Sequence, residues 1–408
     1  MSAAPRPGAP EDAILGVAPR LAIEPATLEE AAEAMRALAA DRLAVAFLGG
    51  GTDLGLGTPP ARLDAVLRTR RLARVREHAP SDQIVAVEAG MTLAALQRHL
   101  APHGQRLALD PPLPEEATVG GIVAANAFGP RRARFGPVRD LVIGVTVVRA
   151  DGTVARGGGK VVKNVAGFDL PRLLCGSLGT LGLVAEVVFR LHPLPEASAT
   201  VAIPGLAPEA VRAATLAALE ARLEPVAVAA LPDGERFRLA VRFEGFGPGV
   251  RDQVERLLAL PAAAGGREVL EGKDEAALWA GHDALVRAGD VRVKAAFLPS
   301  GLAAAAAALR PLAAALGRGA LVLHPTLGIA VLSGALAEPA RAAAALEAAR
   351  VALRPRNGSA VLAAAPPALR ALADPWGAPP PALEIMRRLK GELDPDARLA
   401  PGRFAGGL

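Results

Sequence analysis

The sequence predicts an α+β chain of two domains, and three observations carry that expectation. The 408 residues exceed one typical domain. Between residues 43 and 191 short apolar strands alternate with glycine-rich corners, the densest being Gly49-Gly50-Gly51-Thr52-Asp53-Leu54, Val119-Gly120-Gly121 and Gly176-Ser177-Leu178-Gly179-Thr180-Leu181-Gly182. From residue 199 the texture changes to strand-like runs alternating with Ala-rich helices. These fit two β-α-β-β-α units, the pattern of an α/β cap with an antiparallel sheet. The chain is 51% hydrophobic, ample for a large core in each domain.

Taken in order, residues 1–15 read as a flexible Pro- and Ala-rich arm. Thr27 followed by Glu30 has capping-box spacing and opens a helix that runs to Arg42. Residues 43–48 are a buried strand that ends on the triple glycine. Short strands follow at 65–67 and 84–88, then a helix at 93–100 closed by Pro102 and Gly104. Residues 141–150 and 153–156 form a hairpin about Asp151-Gly152. Residues 183–191 alternate as a half-buried strand, and His192-Pro193-Leu194-Pro195 marks the end of the first domain. Cap strands are expected at 200–203, 236–243, 291–297, 321–323 and 328–332, with helices at 208–223, 250–260, 302–316 and 338–352. A last helix is expected at 383–393. The organisation is therefore an arm 1–15, a first domain 16–195, a cap 196–380 and a C-terminal helix and tail 381–408.

Composition narrows the function. Tyr is absent and aromatics make up 3%, which argues against a stacking platform for single-stranded nucleic acid. The net charge of +5 is small for this length. The one dense basic run, Arg68, Arg70, Arg71, Arg74 and Arg76, reads as a solvated face beside a turn, with a surface for an acidic partner as the alternative. Cys175 is the single cysteine, so no disulfide framework and no cysteine-ligated metal or iron–sulfur centre follows. No apolar run reaches transmembrane length, and residues 1–13 lack a secretory pattern. The expectation is a cytoplasmic protein, with membrane association through a partner left open.

The corner at Gly49 to Leu54 presents backbone rather than side chains. Successive exposed N–H groups of such a loop bind phosphate, and a tight turn without a ligand is the equal alternative. It lacks the spacing of a dinucleotide fingerprint and the Gly-Lys-Ser/Thr of a P-loop.

The order of motifs is more specific than any one of them. GGGTDL is followed by DPP, ATVGGIVAANAFGPRR, GPVRDLVIGVTVVRADG and KVVKNVAGFDLPRLLCGSLGTLGLVAEV. Together they resemble the FAD-binding domain of the vanillyl-alcohol oxidase and p-cresol methylhydroxylase family, over about residues 15–195. GGKVVKNVAGFDL and GSLGTLG are most similar to the FAD-binding E subunit of bacterial glycolate oxidases, and the tail IMRRLKGELDPDARLAPGRF agrees. Relatives end in Asn-Pro-Gly-Arg, and here Ala400 stands in place of the Asn.

The resemblance implies a two-subdomain FAD-binding domain followed by the cap, with FAD held non-covalently. It places Gly49, Gly50, Gly51, Thr52, Asp53 and Leu54 around the pyrophosphate. Asp110, Pro111, Thr118, Gly120, Gly121, Ala124 and Asn126 line the flavin and diphosphate path, with Gly129 and Arg131 following it. Arg139 and Asp140 hold the loop after it, and Val184 meets the adenine by its backbone. Gly50→Val and Gly121→Val are expected to lose FAD while the fold survives. The resemblance also implies a homologous FAD-containing D-type subunit and an iron–sulfur subunit as partners, and a small 2-hydroxy acid as substrate of the complex.

Other residues carry two readings. Lys163 and Asp169, near Asn164 and Phe168, either position the flavin edge or a partner, or form an internal ion pair. Cys175 reads as a small core residue. His78, His99, His103, His192 and His282 are scattered and read as structural or solvated. His324, in Leu323-His324-Pro325-Thr326, stands where substrate-oxidising relatives carry a paired metal site. A lone His is not a metal site, so no metal is expected.

Overall fold

The computed structural model describes residues 3–160, 167–261 and 266–408. The chain divides into two compact units. One comprises Met1–Gly129, Gly136–Pro193 and Ala378–Leu408, the other Pro130–Phe135 and Leu194–Gly377. Residues 130–135, which the sequence reading kept in the first domain, thus belong to the second unit.

The first unit contains two main sheets. In the smaller, the order is Arg6–Pro7, Leu21–Ile23, Ala65–Arg68, Val45–Leu48, antiparallel at the first pair and parallel thereafter. The larger is antiparallel, in the order Val75–Ala79, Ile84–Glu88, Leu183–Arg190, Val142–Val148, Val154–Gly158. Helix Leu28–Ala40 starts where expected: Thr27 Oγ1 accepts from Glu30 N at 3.1 Å, and the Glu30 carboxylate accepts from Ala26 N at 2.8 Å. Its apolar face, led by Met35 and Leu38, packs with Val45, Leu67 and Leu183. Helices Leu93–Leu100 and Val119–Ala125 bury Leu96 and Ile122 against Val85, Val145 and Phe189 of the larger sheet.

Two expectations are corrected here. The arm is not flexible, because Arg6–Pro7 is an edge strand and Asp12 is fully buried. Asp12 receives Arg6 at 2.7 Å and Arg68 at 2.6 Å. Burial alone would raise the Asp12 carboxyl, but the bonds from Arg6, Ala9 N and Arg68 outweigh it and hold it at about 2. Arg74 and Arg76 likewise pair with Glu88 and Glu186, so much of the basic run is internal bracing. Second, Val119-Gly120-Gly121 is not an open corner but the first turn of a helix, capped by Thr118 Oγ1 on Gly121 N at 3.3 Å.

The second unit is one eight-stranded antiparallel sheet with helices. Its order is Glu268–Leu270, Ala197–Leu206, Arg236–Gly245, Ala227–Asp233, Leu316–His324, Ile329–Leu336, Val291–Ala296, Ser359–Ala364. The two expected β-α-β-β-α units are present, as Ala197 to Ala259 and Val291 to Leu353, and they meet where Ala230 pairs with Leu323. Helix Gly272–Leu285, between the units, was not foreseen from the sequence. Among the described residues, no helix is long and apolar enough to cross a membrane.

Candidate functional site

Strand Val45–Leu48 delivers the chain into a narrow cleft whose floor is its own continuation. Gly49, Gly50, Gly51, Thr52, Asp53 and Leu54 line it, together with Thr118, Gly121, Ala124, Leu178 and Arg403. A second cleft shares Phe47, Gly49, Gly121, Ala124 and Leu178 and adds Gly120, Gly179 and Val184. The two clefts thus adjoin along the glycine-rich loop and the Val119–Ala125 helix. The third corner is bonded to that helix: Gly176 N donates to Val123 O at 2.9 Å and Leu178 N to Ala124 O at 2.9 Å.

The glycines are demanded first by the protein itself. A Cβ on Gly50 would overlap the carbonyl oxygen of Glu116, and one on Gly49 would overlap Thr118 Oγ1. A Cβ on Gly121 would press on the same capping hydroxyl at 3.0 Å. The expectation that Gly50→Val spares the fold is therefore corrected: the residue opposes backbone, not open space. Gly51 differs, with φ +79° and ordinary contacts only, so there conformation is the requirement.

The remaining candidates lie elsewhere. Asp110 is tied to Gly129, whose N donates to Asp110 Oδ1 at 3.0 Å. Pro111 is buried beside it and Asn126 ends the Val119–Ala125 helix at φ +50°. Arg139 and Asp140 face each other at 3.8 Å, largely exposed, and line neither cleft. Arg131 pairs instead with buried Glu244 of the second unit at 2.6 Å. Lys163 and Asn164 lie outside the described residues. Asp169 caps helix Leu170–Leu174 and pairs with Arg172 at 3.3 Å. Cys175 packs against the core of the larger sheet, and burial pushes its thiol up to about 12. The residues missed at the clefts include Leu178 and Gly179 of the third corner and the charged Arg403, whose signal, the Pro-Gly-Arg tail, is read in the sequence but assigned no place.

The second unit holds a buried polar network on its sheet. Glu275 Oε1 accepts from Ser198 Oγ and Thr200 Oγ1, each at 2.8 Å, and faces Arg242 Nε at 3.0 Å. Trp279 Nε1 donates to Thr200 Oγ1 at 3.0 Å. One helical turn on, His282 Nε2 lies 2.9 Å from His324 Nε2. His324 is thus not alone, and its partner comes from the helix the sequence reading did not find. His282 Nδ1 is 2.8 Å from Asp283, which can only accept. That makes Nδ1 the protonated nitrogen of His282, so His324 Nε2 donates to His282 Nε2 and His324 Nδ1 keeps its lone pair, buried and without a hydrogen-bond partner among the described residues. Burial, then His282 and Lys294, lowers His324 to about 3. His78, His99 and His103 are also not scattered: their rings gather at 4.7–6.2 Å. Among the described residues no group of three His, Cys, Asp or Glu is placed to hold a metal ion.

Comparison with known proteins agrees with this geometry. Residues 19–158 match the family described as "FAD binding domain". The chain is 34% identical over 182 residues to glycolate oxidase subunit GlcD of Bacillus subtilis, covering 45% of this chain and 39% of that protein. It is 36% identical over 159 residues to glycolate oxidase subunit GlcE of Escherichia coli, covering 39% and 45%. To D-lactate dehydrogenase of Archaeoglobus fulgidus it is 35% identical over 195 residues, covering 46% and 43%. The chain thus spans less than half the length of each of these relatives. A solved alkyldihydroxyacetonephosphate synthase shares the fold at a TM-score of 0.74 and 16% identity, over 96% of this chain and 78% of that one. Residues 19–158 are an FAD-binding domain, and FAD is the cofactor it serves. The lining fits such a group: bare backbone at three consecutive glycines and one guanidinium suit a diphosphate.

Proposed function

We propose that the chain is the FAD-binding subunit of a glycolate oxidase-type 2-hydroxy acid dehydrogenase complex, acting with a homologous D-type subunit and an iron–sulfur subunit. The observation that carries the reading is the glycine-lined cleft within the FAD-binding domain, with one cation at its wall. Bound FAD would supply a two-electron acceptor that passes electrons onward to a partner. Gly49 to Leu54 would hold the pyrophosphate, Thr118 and Gly121 its flank, and Gly120 and Val184 the adjoining cleft. Among the described residues no His or Cys lines either cleft, and the sequence has no Tyr, which supports a flavin held without a covalent bond. A visible spectrum of the purified full chain tests this: a flavin band is expected, and acid precipitation should leave the colour in the supernatant. A preparation that stays colourless in excess FAD overturns the reading in favour of a structural subunit.

One observation favours a second reading, a self-sufficient 2-hydroxy acid oxidoreductase. That observation is the 35% identity over 195 residues to the D-lactate dehydrogenase of Archaeoglobus fulgidus, a protein named for oxidising a 2-hydroxy acid. Anaerobic mixing of the FAD-loaded chain with glycolate or D-lactate separates the two. Under the subunit reading the flavin absorbance persists, and bleaching within seconds favours self-sufficiency.

A further inference from the structure

Among the described residues Arg403 is the only cation lining the first cleft, and it arrives from the far end of the chain. It is buried, 4% exposed, and Nη2 donates to Leu56 O at 2.7 Å and Leu54 O at 3.3 Å, gripping the distal end of the glycine loop. The tail that carries it is fastened along its length. Val45 N donates to Arg398 O at 2.9 Å and Ala400 N to Val45 O at 2.8 Å, which lays Leu399 beside the strand that feeds the loop. Ala61 N donates to Pro401 O at 2.8 Å and Thr58 N to Arg403 O at 3.0 Å. Further back, buried Lys390 donates to Asp394 at 2.6 Å, to Leu399 O at 2.9 Å and to Thr180 O in the third glycine corner at 2.7 Å. Asp394 in turn accepts from Arg398 N at 3.0 Å and from Leu399 N at 2.7 Å.

We propose that residues 390–403 are a latch on the cofactor cleft, and that Arg403 is a positioning residue whose charge faces the FAD pyrophosphate, so that cofactor binding and tail docking strengthen each other. The inference rests on the FAD reading. The physical argument is one of charge and linkage. A diphosphate brings two negative charges into a cleft whose lining, among the described residues, otherwise carries only the charge of Asp53. Backbone donors alone leave that charge uncompensated, and a buried guanidinium is the strong counter-group. A ligand that prefers the docked tail must stabilise docking by the same factor that docking improves its affinity.

The test uses the full chain stripped of flavin, titrated with FAD by flavin fluorescence, for wild type, Arg403→Lys and Arg403→Gln. Arg403→Gln should weaken FAD by about tenfold or more and flatten the salt dependence of binding, with Arg403→Lys between them. Riboflavin, which has no phosphate, should bind both alike. In wild type, FAD should slow amide exchange across residues 394–408 by about tenfold, and in Arg403→Gln it should not. Affinity of Arg403→Gln within about twofold of wild type overturns the proposal. So does exchange in the wild-type tail that ignores FAD, which decides alone if the variant does not fold. Failure of wild type to bind FAD at all is a different result: it removes the FAD reading itself and the latch with it.

Discussion

In the first unit the polar cleft is written in one run, Gly49 to Leu54, with its flank at Thr118 and Gly121. In the second unit the buried polar groups come from Ser198, Thr200, Arg242, Glu275, His282 and His324, positions spread over more than half of that unit. The first arrangement depends on what residues lack, a side chain that would collide with backbone. The second depends on what they carry, donors and acceptors that must all be matched once buried. A motif of absences survives as a local pattern, whereas a network of partners exists only when distant strands are in register.

The largest effect should come from filling an absence. Gly50→Ala places a methyl on the carbonyl oxygen of Glu116, and backbone cannot step aside as a side chain can. A loss of about 3 kcal/mol or more is expected in urea unfolding of the flavin-free chain, because overpacking against backbone has no cheap relief. If the flavin-free variant matched wild type and lost only FAD, the glycine would serve the ligand alone and the contrast would fall.

Breaking the network of the second unit should cost less and show in pH. His324 is held neutral at about 3 by burial, His282 and Lys294. The unfolded chain binds that proton near pH 6.5 and the folded chain does not, so falling pH favours unfolding from about 6.5 down to about 3, by up to about 1.4 kcal/mol per pH unit. His192, lowered to about 4 mainly by burial, acts in the same direction. His324→Gln should therefore shallow the acid limb without removing it. It should also lower stability at neutral pH by about 1–2 kcal/mol, as His282 loses its partner. Flavin content should not change, since both clefts are lined by the first unit alone. An unaltered slope from pH 6 to 4 would show that the pair is not buried as described.

Asp12 joins the two styles, a long-range ion site inside the motif-rich unit. Its carboxyl is depressed to about 2, so its stabilisation is present above the unfolded value near 4 and is lost as pH falls through about 2. Asp12→Asn should cost about 2 kcal/mol at pH 7. The gap to wild type should close as pH falls from 4 to 2, and a gap constant with pH would mean packing rather than charge.

How much of this was legible follows the same division. Helix Leu28–Ala40 was readable from Thr27 and Glu30, and the strand at Ile84–Glu88 and the helix at Leu93–Leu100 from local pattern. Strand Ala227–Asp233 was not, because Ala-Val-Ala-Ala is a helix former by propensity and is a strand only through its pairing in mid-sheet. Asp12 read as part of a loose arm because its second arginine, Arg68, comes from 56 residues away, and nothing in the arm itself shows that the carboxylate is buried. His324 read as solitary because His282 is 42 residues away on a helix of weak amphipathicity. Arg403 was visible as a letter of a tail motif, but nothing local says which cleft it enters.

The smallest effect compares two residues of the cleft region in the same left-handed conformation. Gly51 has φ +79° and Ala400 φ +44°. Gly51→Ala adds a methyl that meets only Leu54 Cδ1 at 3.6 Å, so its cost is conformational, about 1 kcal/mol. Ala400→Gly relieves a similar strain but gives up a methyl packed with Ile14, Leu48 and Leu63 and loosens the unfolded chain. Those terms are each about 1 kcal/mol and opposed, so the net change should stay within about 0.5 kcal/mol. Amide exchange of residues 394–408 measures it directly. Markedly slower exchange in Ala400→Gly would show that strain outweighs packing and that the Asn of related tails supplies the conformation at this position. Markedly faster exchange would show that the methyl holds the tail, and that the chain has exchanged an easy turn for a buried contact.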